Sequence, residues 1–188
     1  MNAQRRTEVM DAGRIEGLNS IWRAYVPSKL KIFGWRMIRD KLPTQKQLLK
    51  RHIIQQLNES LCVFCQVQVE YINYVLLQCV KLEWLWRKVF VWLDIQRPND
   101  EVCWEHLFSS EEALKGRIGK KRGVAIWLTT CWCIWKHRND IMFNGAVLDM
   151  EQVYHSILRY SWWWLAIASK NRINCNLYEW IQNPSLCI

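Results

Sequence analysis

The sequence predicts a mainly α protein: a small helical domain built around a cysteine knuckle, followed by a C-terminal helical hairpin. Three observations predict it. Apolar residues recur at helical spacing through Lys81–Leu93 and again through Val124–Phe143, where strands would show strict alternation. Only 7 Gly and 4 Pro punctuate 188 residues, too few for a many-turned β-sandwich. The 13 Trp are a heavy aromatic load that needs a packed interior. With 51% hydrophobic and 23% charged residues the chain has the balance of a folded protein, which excludes intrinsic disorder as its class.

Residues 1–20 mix charges with Gly13 and Gly17 and hold no sustained period, so they are expected to form a disordered leader, with order beginning near Trp22. Pro27 suits the first turn of a helix because its missing N–H has no partner there, and Leu30, Phe33, Met37 and Ile38 then recur at helical spacing, with Gly34 a weak point. Leu42-Pro43-Thr44 ends that helix. Thr44 to Gln47 fits a capping box, in which the Thr44 hydroxyl accepts from the N3 amide and Gln47 reaches back. Leu48 and Leu49 are expected to supply the buried face of the short helix that follows, to about Arg51.

Cys62 to Cys79 is a compact segment, with β-type Val63, Phe64, Val67 and Val69 around a knuckle turn and then apolar Ile72 to Leu77. In Lys81–Leu93 the residues Leu82, Leu85, Trp86, Val89, Phe90 and Leu93 mark a strongly amphipathic helix. Pro98 interrupts the pattern, and Val102–Phe108 predicts a short helix. Residues 21–108 thus form the first domain, and 109–123, charged and holding three Gly, a linker. Residues 124–170 form the hairpin: a long helix ended by Asn144-Gly145, then a second capped by Asp149, with Val153, Ile157, Tyr160, Trp164 and Leu165 inward. Residues 171–188 form a polar tail expected to be the least ordered part.

Residues 1–61 carry 12 basic and 5 acidic side chains within an overall charge of +9. That basic balance permits attraction to nucleic acid or anionic membranes and bears on association and solubility, not on fold or enzyme class. Met1 to Gly17 lacks an apolar core, so no secretory signal is expected. The longest apolar stretch, Val124–Trp135, falls short of the roughly 20 residues that span a bilayer. The expectation is therefore an intracellular protein, nuclear or cytoplasmic, without a membrane partner. In that reducing setting the eight Cys are expected as thiols or metal ligands, not a disulfide framework.

Cys62-x2-Cys65-x13-Cys79 is the most chemical feature of the chain. A C-x-x-C turn offers two thiolates to one tetrahedral ion, and a third Cys beyond a short hairpin closes most of the sphere, which suits zinc. The competing reading is that the three are small buried apolar side chains. Cys131 and Cys133 are expected as core or surface thiols, and Cys103, Cys175 and Cys187 have no role.

Several spaced motifs around these cysteines carry a resemblance. Ile21-Trp22, Val26-Pro27-Ser28-Lys29-Leu30-Lys31-Ile32-Phe33-Gly34-Trp35-Arg36, Asp40-Lys41-Leu42-Pro43-Thr44 and Leu48-x-x-Arg51 resemble the opening of the zinc-binding domain that follows the polymerase in plant LINE-type, non-LTR retroelement reverse transcriptases. Cys62, Cys65, Glu70 and Cys79 stand where that family has Cys-x2-Cys and then Glu-Thr-x-x-His-Leu-Phe-x-x-Cys. Trp86 matches a Trp just after the last Cys. Trp135-Lys136-x-Arg138-Asn139 is similar to a stretch downstream of the domain in the same proteins. The resemblance implies a zinc-knuckle-like domain with Cys62, Cys65 and Cys79 as ligands. The chain departs from it where the family places His, since Tyr74 stands there, so the domain reads as a degenerate member; the fourth position is open to water, His52, Cys103 or His106.

No Asp-Asp pair, P-loop, G-x-S-x-G or H-E-x-x-H occurs, so no catalytic residue and no enzymatic activity are expected. Lys29, Lys31, Arg36, Arg39, Lys46, Lys50 and Arg51 beside Trp35 are the candidate contact with RNA or DNA, the bases stacking and the phosphates pairing; an ordinary solvated face is the alternative. Of Trp162, Trp163 and Trp164 at least one is expected to be exposed, as a partner surface, or to cover a neighbouring element, as core packing. The resemblance implies a non-catalytic module that holds RNA or DNA. The alternatives are a relic fragment of an element and a domesticated protein-interaction module.

Overall fold

The computed structural model describes residues 3–56, 60–114, 116–168, 173, 175–184 and 187. The architecture is mainly α. The helices are α1 (Ala3–Arg23), α2 (Ser28–Ile38), α3 (Gln45–Lys50), α4 (Glu83–Trp92), α5 (Cys103–Glu112), α6 (Gly116–Asn144), α7 (Met150–Ala168) and α8 (Leu177–Gln182). Among the described residues there is no strand, only an isolated antiparallel bridge between Leu61 and Val69. No described helix is long and apolar enough to cross a membrane.

The 29-residue α6 is the axis of the fold, with α1, α2, α5 and α7 packed around it. This placement explains why its apolar residues run round the helix and not along one stripe: Val124, Ile126, Trp127, Leu128, Cys131, Ile134 and Trp135 are all buried. The hairpin expected from the sequence is present. Gly145, at φ 66°, leaves α6 through the left-handed conformation that ends helices, and the Asp149 carboxylate accepts from the Gln152 amide at 2.9 Å to start α7. His137 adds a contact the sequence did not reveal, its Nε2 accepting from the Asp149 amide at 3.1 Å.

The expected leader is a helix instead. Its glycines, read as breakers, are contact points: a Cβ on Gly13 would lie 2.4 Å from the Trp104 ring, and one on Gly17 would meet Ile38 at 3.4 Å. Bare backbone there lets α1 lie close against α2 and α5. The expected linker is also mostly helical, α5 running on to Glu112 and α6 starting at Gly116. One cluster of buried apolar side chains includes Leu30, Leu85, Leu107, Leu128 and Leu165, so the core continues across it.

The tail needs correction as well. Asn176 caps α8 through a reciprocal box with Glu179, and Trp180 is fully buried, donating to Ser161 Oγ at 3.2 Å. Trp92 in turn donates to the Trp180 carbonyl at 3.2 Å. Cys175 and Cys187, assigned no role, form a disulfide, α8 folding back to bring their Cα atoms to 5.7 Å. The remaining tail positions, 171, 172, 174, 185, 186 and 188, lie outside the described residues.

Candidate metal centre

The knuckle is built by backbone first. The Cys62 amide donates to the Gln68 carbonyl at 2.7 Å and the Gln66 amide to the Cys62 carbonyl at 2.9 Å, which closes a tight turn between the first two cysteines and the bridge. Gln66 takes the left-handed conformation, at φ 55°, and its side chain donates back to the Val63 carbonyl. Cys79 arrives from the other side. Tyr74–Gln78 forms one π-helical turn, pinned from outside by the buried Trp86 indole, which donates to the Leu76 carbonyl at 2.7 Å. Irregular turns of this kind recur at functional sites.

These elements bring the sulfurs of Cys62, Cys65 and Cys79 within 4.8 Å of one another. Cys62 Sγ lies 3.9 Å from Cys79 Sγ. Zinc–sulfur bonds of about 2.3 Å place tetrahedral sulfurs about 3.8 Å apart, so this edge already has the spacing of a zinc site. The backbone N–H groups of Phe64 and Cys65 act to lower the Cys62 thiol, and that of Lys81 the Cys79 thiol. The hydrogen bond from Cys62 to Cys79, and then burial, push the Cys62 thiol up. The same hydrogen bond lowers Cys79, against its burial. The donor set fits zinc.

Tyr74, expected from the resemblance to stand at a His position, has its hydroxyl 3.2 Å from Cys65 Sγ. Burial raises the phenol, followed by the Cys65 hydrogen bond and the charges of all three cysteines. The other proposed substitutes lie elsewhere. His52 is exposed. His106 is enclosed by Trp86, Phe90 and Trp127, accepting from the Trp127 indole on Nδ1 at 2.9 Å. Burial lowers it to about 4. Cys103 is buried at the start of α5, its thiol pushed up by desolvation.

Glu70 ties the knuckle to the rest of the molecule. Its fully buried carboxylate accepts from the Gln45 amide at 3.0 Å, from the Val63 amide at 3.4 Å, and from Arg138 of α6 at 2.6 and 3.3 Å. The motif residues Glu70 and Arg138, matched separately along the chain, are thus two halves of one contact. No local pattern could have paired them, because 68 residues separate them. Thr44 caps α3 as expected, accepting from the Gln47 amide at 3.3 Å, but the Gln47 side chain donates to Asp40 at 2.6 Å and completes no box. Leu48 and Leu49 are half-buried, so α3 owes its position to Glu70 more than to an apolar face.

The basic residues sit on the outer surface. Lys29, Ile32, Trp35, Arg36 and Arg39 are exposed at i, i+3, i+6, i+7 and i+10, a continuous stripe along α2. Arg39 lies over the Trp35 ring at 5.5 Å. Lys31 is turned aside, donating to the Trp22 carbonyl at 2.8 Å. Lys46, at the start of α3, lies over the Tyr71 ring at 5.4 Å, and Lys50 and Arg51 are exposed at its end. Among the three consecutive tryptophans Trp163 is exposed and Trp164 buried.

A profile of the family described as zinc-binding in reverse transcriptase matches residues 3–86, from the start of α1 to Trp86, a span of less than half the chain that includes all three clustered cysteines. No curated protein and no solved structure matches the chain.

Proposed function

We propose that the chain is a zinc-binding, non-catalytic module of the kind that accompanies LINE-type, non-LTR retroelement reverse transcriptases, and that it holds RNA or DNA through α2 and α3. The observation that carries this reading is the three-sulfur cluster inside the segment matched by a zinc-binding reverse-transcriptase family. The division of labour follows from the placement of the parts. Zinc on Cys62, Cys65 and Cys79 fastens the knuckle, Glu70 passes that order to the first turn of α3 and to α6, and the basic residues of α2 and α3 face outward. Lysine and arginine there neutralise phosphates and release counterions, while the Trp35 and Arg39 pair offers a base a flat partner.

The test is fluorescence anisotropy of the zinc-loaded protein with labelled single-stranded RNA, single-stranded DNA and duplex DNA across a salt series. The expected result is binding that weakens steeply with salt. Substituting Lys29, Arg36 and Arg39 together by Gln should flatten the log–log slope by about 0.7 to 0.9 per lost phosphate contact. Absence of binding at low salt, or a slope the triple variant leaves unchanged, contradicts the reading. A chain that also fails to take up zinc would be a relic of an element.

A further inference from the structure

We infer that Tyr74 is the fourth ligand of the cysteine cluster, its phenol oxygen completing a site of three sulfurs and one oxygen. This deepens the zinc reading above and rests on it. The π-helical turn that begins at Tyr74 and ends just before Cys79 sets the two one turn apart, the Cys79 amide donating to the Tyr74 carbonyl at 2.9 Å. The Tyr74 hydroxyl is directed at the cluster, 3.2 Å from Cys65 Sγ. Bonds of about 2.3 Å to sulfur and about 2.0 Å to oxygen would place those two atoms about 3.5 Å apart around a tetrahedral centre. A shift of a few tenths of an ångström therefore converts the observed hydrogen bond into an edge of the coordination sphere.

A further observation supports the assignment. No other His, Cys, Asp or Glu among the described residues joins the cluster. On coordination the phenol O–H bond breaks, its proton leaves to solvent, and the oxygen lone pair forms the bond to the metal. A bound divalent cation lowers the cost of that ionisation, as it does for metal-bound water.

The test compares zinc affinity, by chelator competition, among the wild-type chain, Tyr74→Phe and Tyr74→His, alongside ultraviolet difference spectra recorded as zinc is added at constant pH. Wild type should bind one zinc and develop a tyrosinate difference band. Tyr74→Phe should lack that band and bind more weakly by at least the roughly 10- to 100-fold that loss of an outer-shell partner costs. Tyr74→His, which offers an imidazole, should bind at least as tightly as wild type with no band. Equal affinity in Tyr74→Phe, or no tyrosinate band in the zinc-loaded wild type, overturns the assignment while leaving the three-thiolate site standing. A wild-type chain that takes up no zinc overturns the zinc reading itself, and this inference with it. Circular dichroism of the three proteins at saturating zinc should show the same helical content, so that the affinities compare chains of the same fold.

Discussion

Arg138 grips Glu70 through two nitrogens, at 2.6 and 3.3 Å, with both side chains sealed from solvent. The carboxylate has further donors in the Gln45 and Val63 amides, and the guanidinium lies over the Trp135 ring at 4.8 Å and donates to Asn139. A buried ion pair so fully satisfied is costly to break from one side only. Glu70→Gln or Arg138→Met should each lower unfolding free energy by about 3 to 5 kcal/mol, because each leaves an uncompensated buried group. The double variant should lose clearly less than the sum of the two. Urea unfolding of the four proteins measures the coupling directly, and strict additivity would mean that the two side chains do not act as a unit.

His106 makes stability depend on pH. Burial among aromatic rings, with a smaller contribution from Arg97 and opposed by Asp100, holds it neutral, lowered from 6.5 to about 4. The unfolded chain therefore binds the extra proton between about pH 4 and 6.5, and stability rises with pH through that window. Its contribution is complete above 6.5 and lost on acidification to about 4, a change of about 3 kcal/mol. His137, lowered by burial as well, acts with the same sign. His106→Asn, which keeps an acceptor for the Trp127 indole, should flatten the pH profile by close to one proton in that window. An unchanged slope would assign the acid sensitivity to other groups.

What could be read along the chain and what could not divide on physical grounds. The helix from Glu83, the α6–α7 hairpin, the Thr44 and Asp149 caps and the cysteine cluster, whose ends lie 17 residues apart, all rest on local periods or spacings, and local pattern recognises them. Helix α1 leaves no local signal because Gly13 and Gly17, breakers by propensity, are where Trp104 and Ile38 crowd the backbone, a tertiary reason absent from the segment itself. The segment around α8 carries no local signal either, because its order comes from Trp180 reaching Ser161 and from Cys175 pairing with Cys187. Glu70 and Tyr74 were visible as motif positions, but what they touch depends on how the knuckle closes against α6.

Trp180 carries the docking of α8. It is fully buried, stands 5.2 Å from the Trp92 ring in an edge-on pair, and satisfies its indole N–H on Ser161. Trp180→Ala should cost about 3 to 5 kcal/mol through lost burial and the cavity left behind. Hydrogen exchange should then rise first in α8 and next in the facing turns of α7. Protection unchanged in α8 would show that the disulfide alone holds it.

The central claim is that Cys62, Cys65 and Cys79 hold zinc and that the fold depends on it. The most direct measurement is the zinc content of the purified protein by elemental analysis, paired with thermal melts before and after chelation. The account predicts about one zinc per chain and a melt lowered substantially by chelator, since structural zinc contributes on the order of 10 to 16 kcal/mol of apparent binding energy in zinc-finger peptides. No zinc and a melt the chelator leaves unchanged would contradict it and make the three cysteines ordinary core thiols.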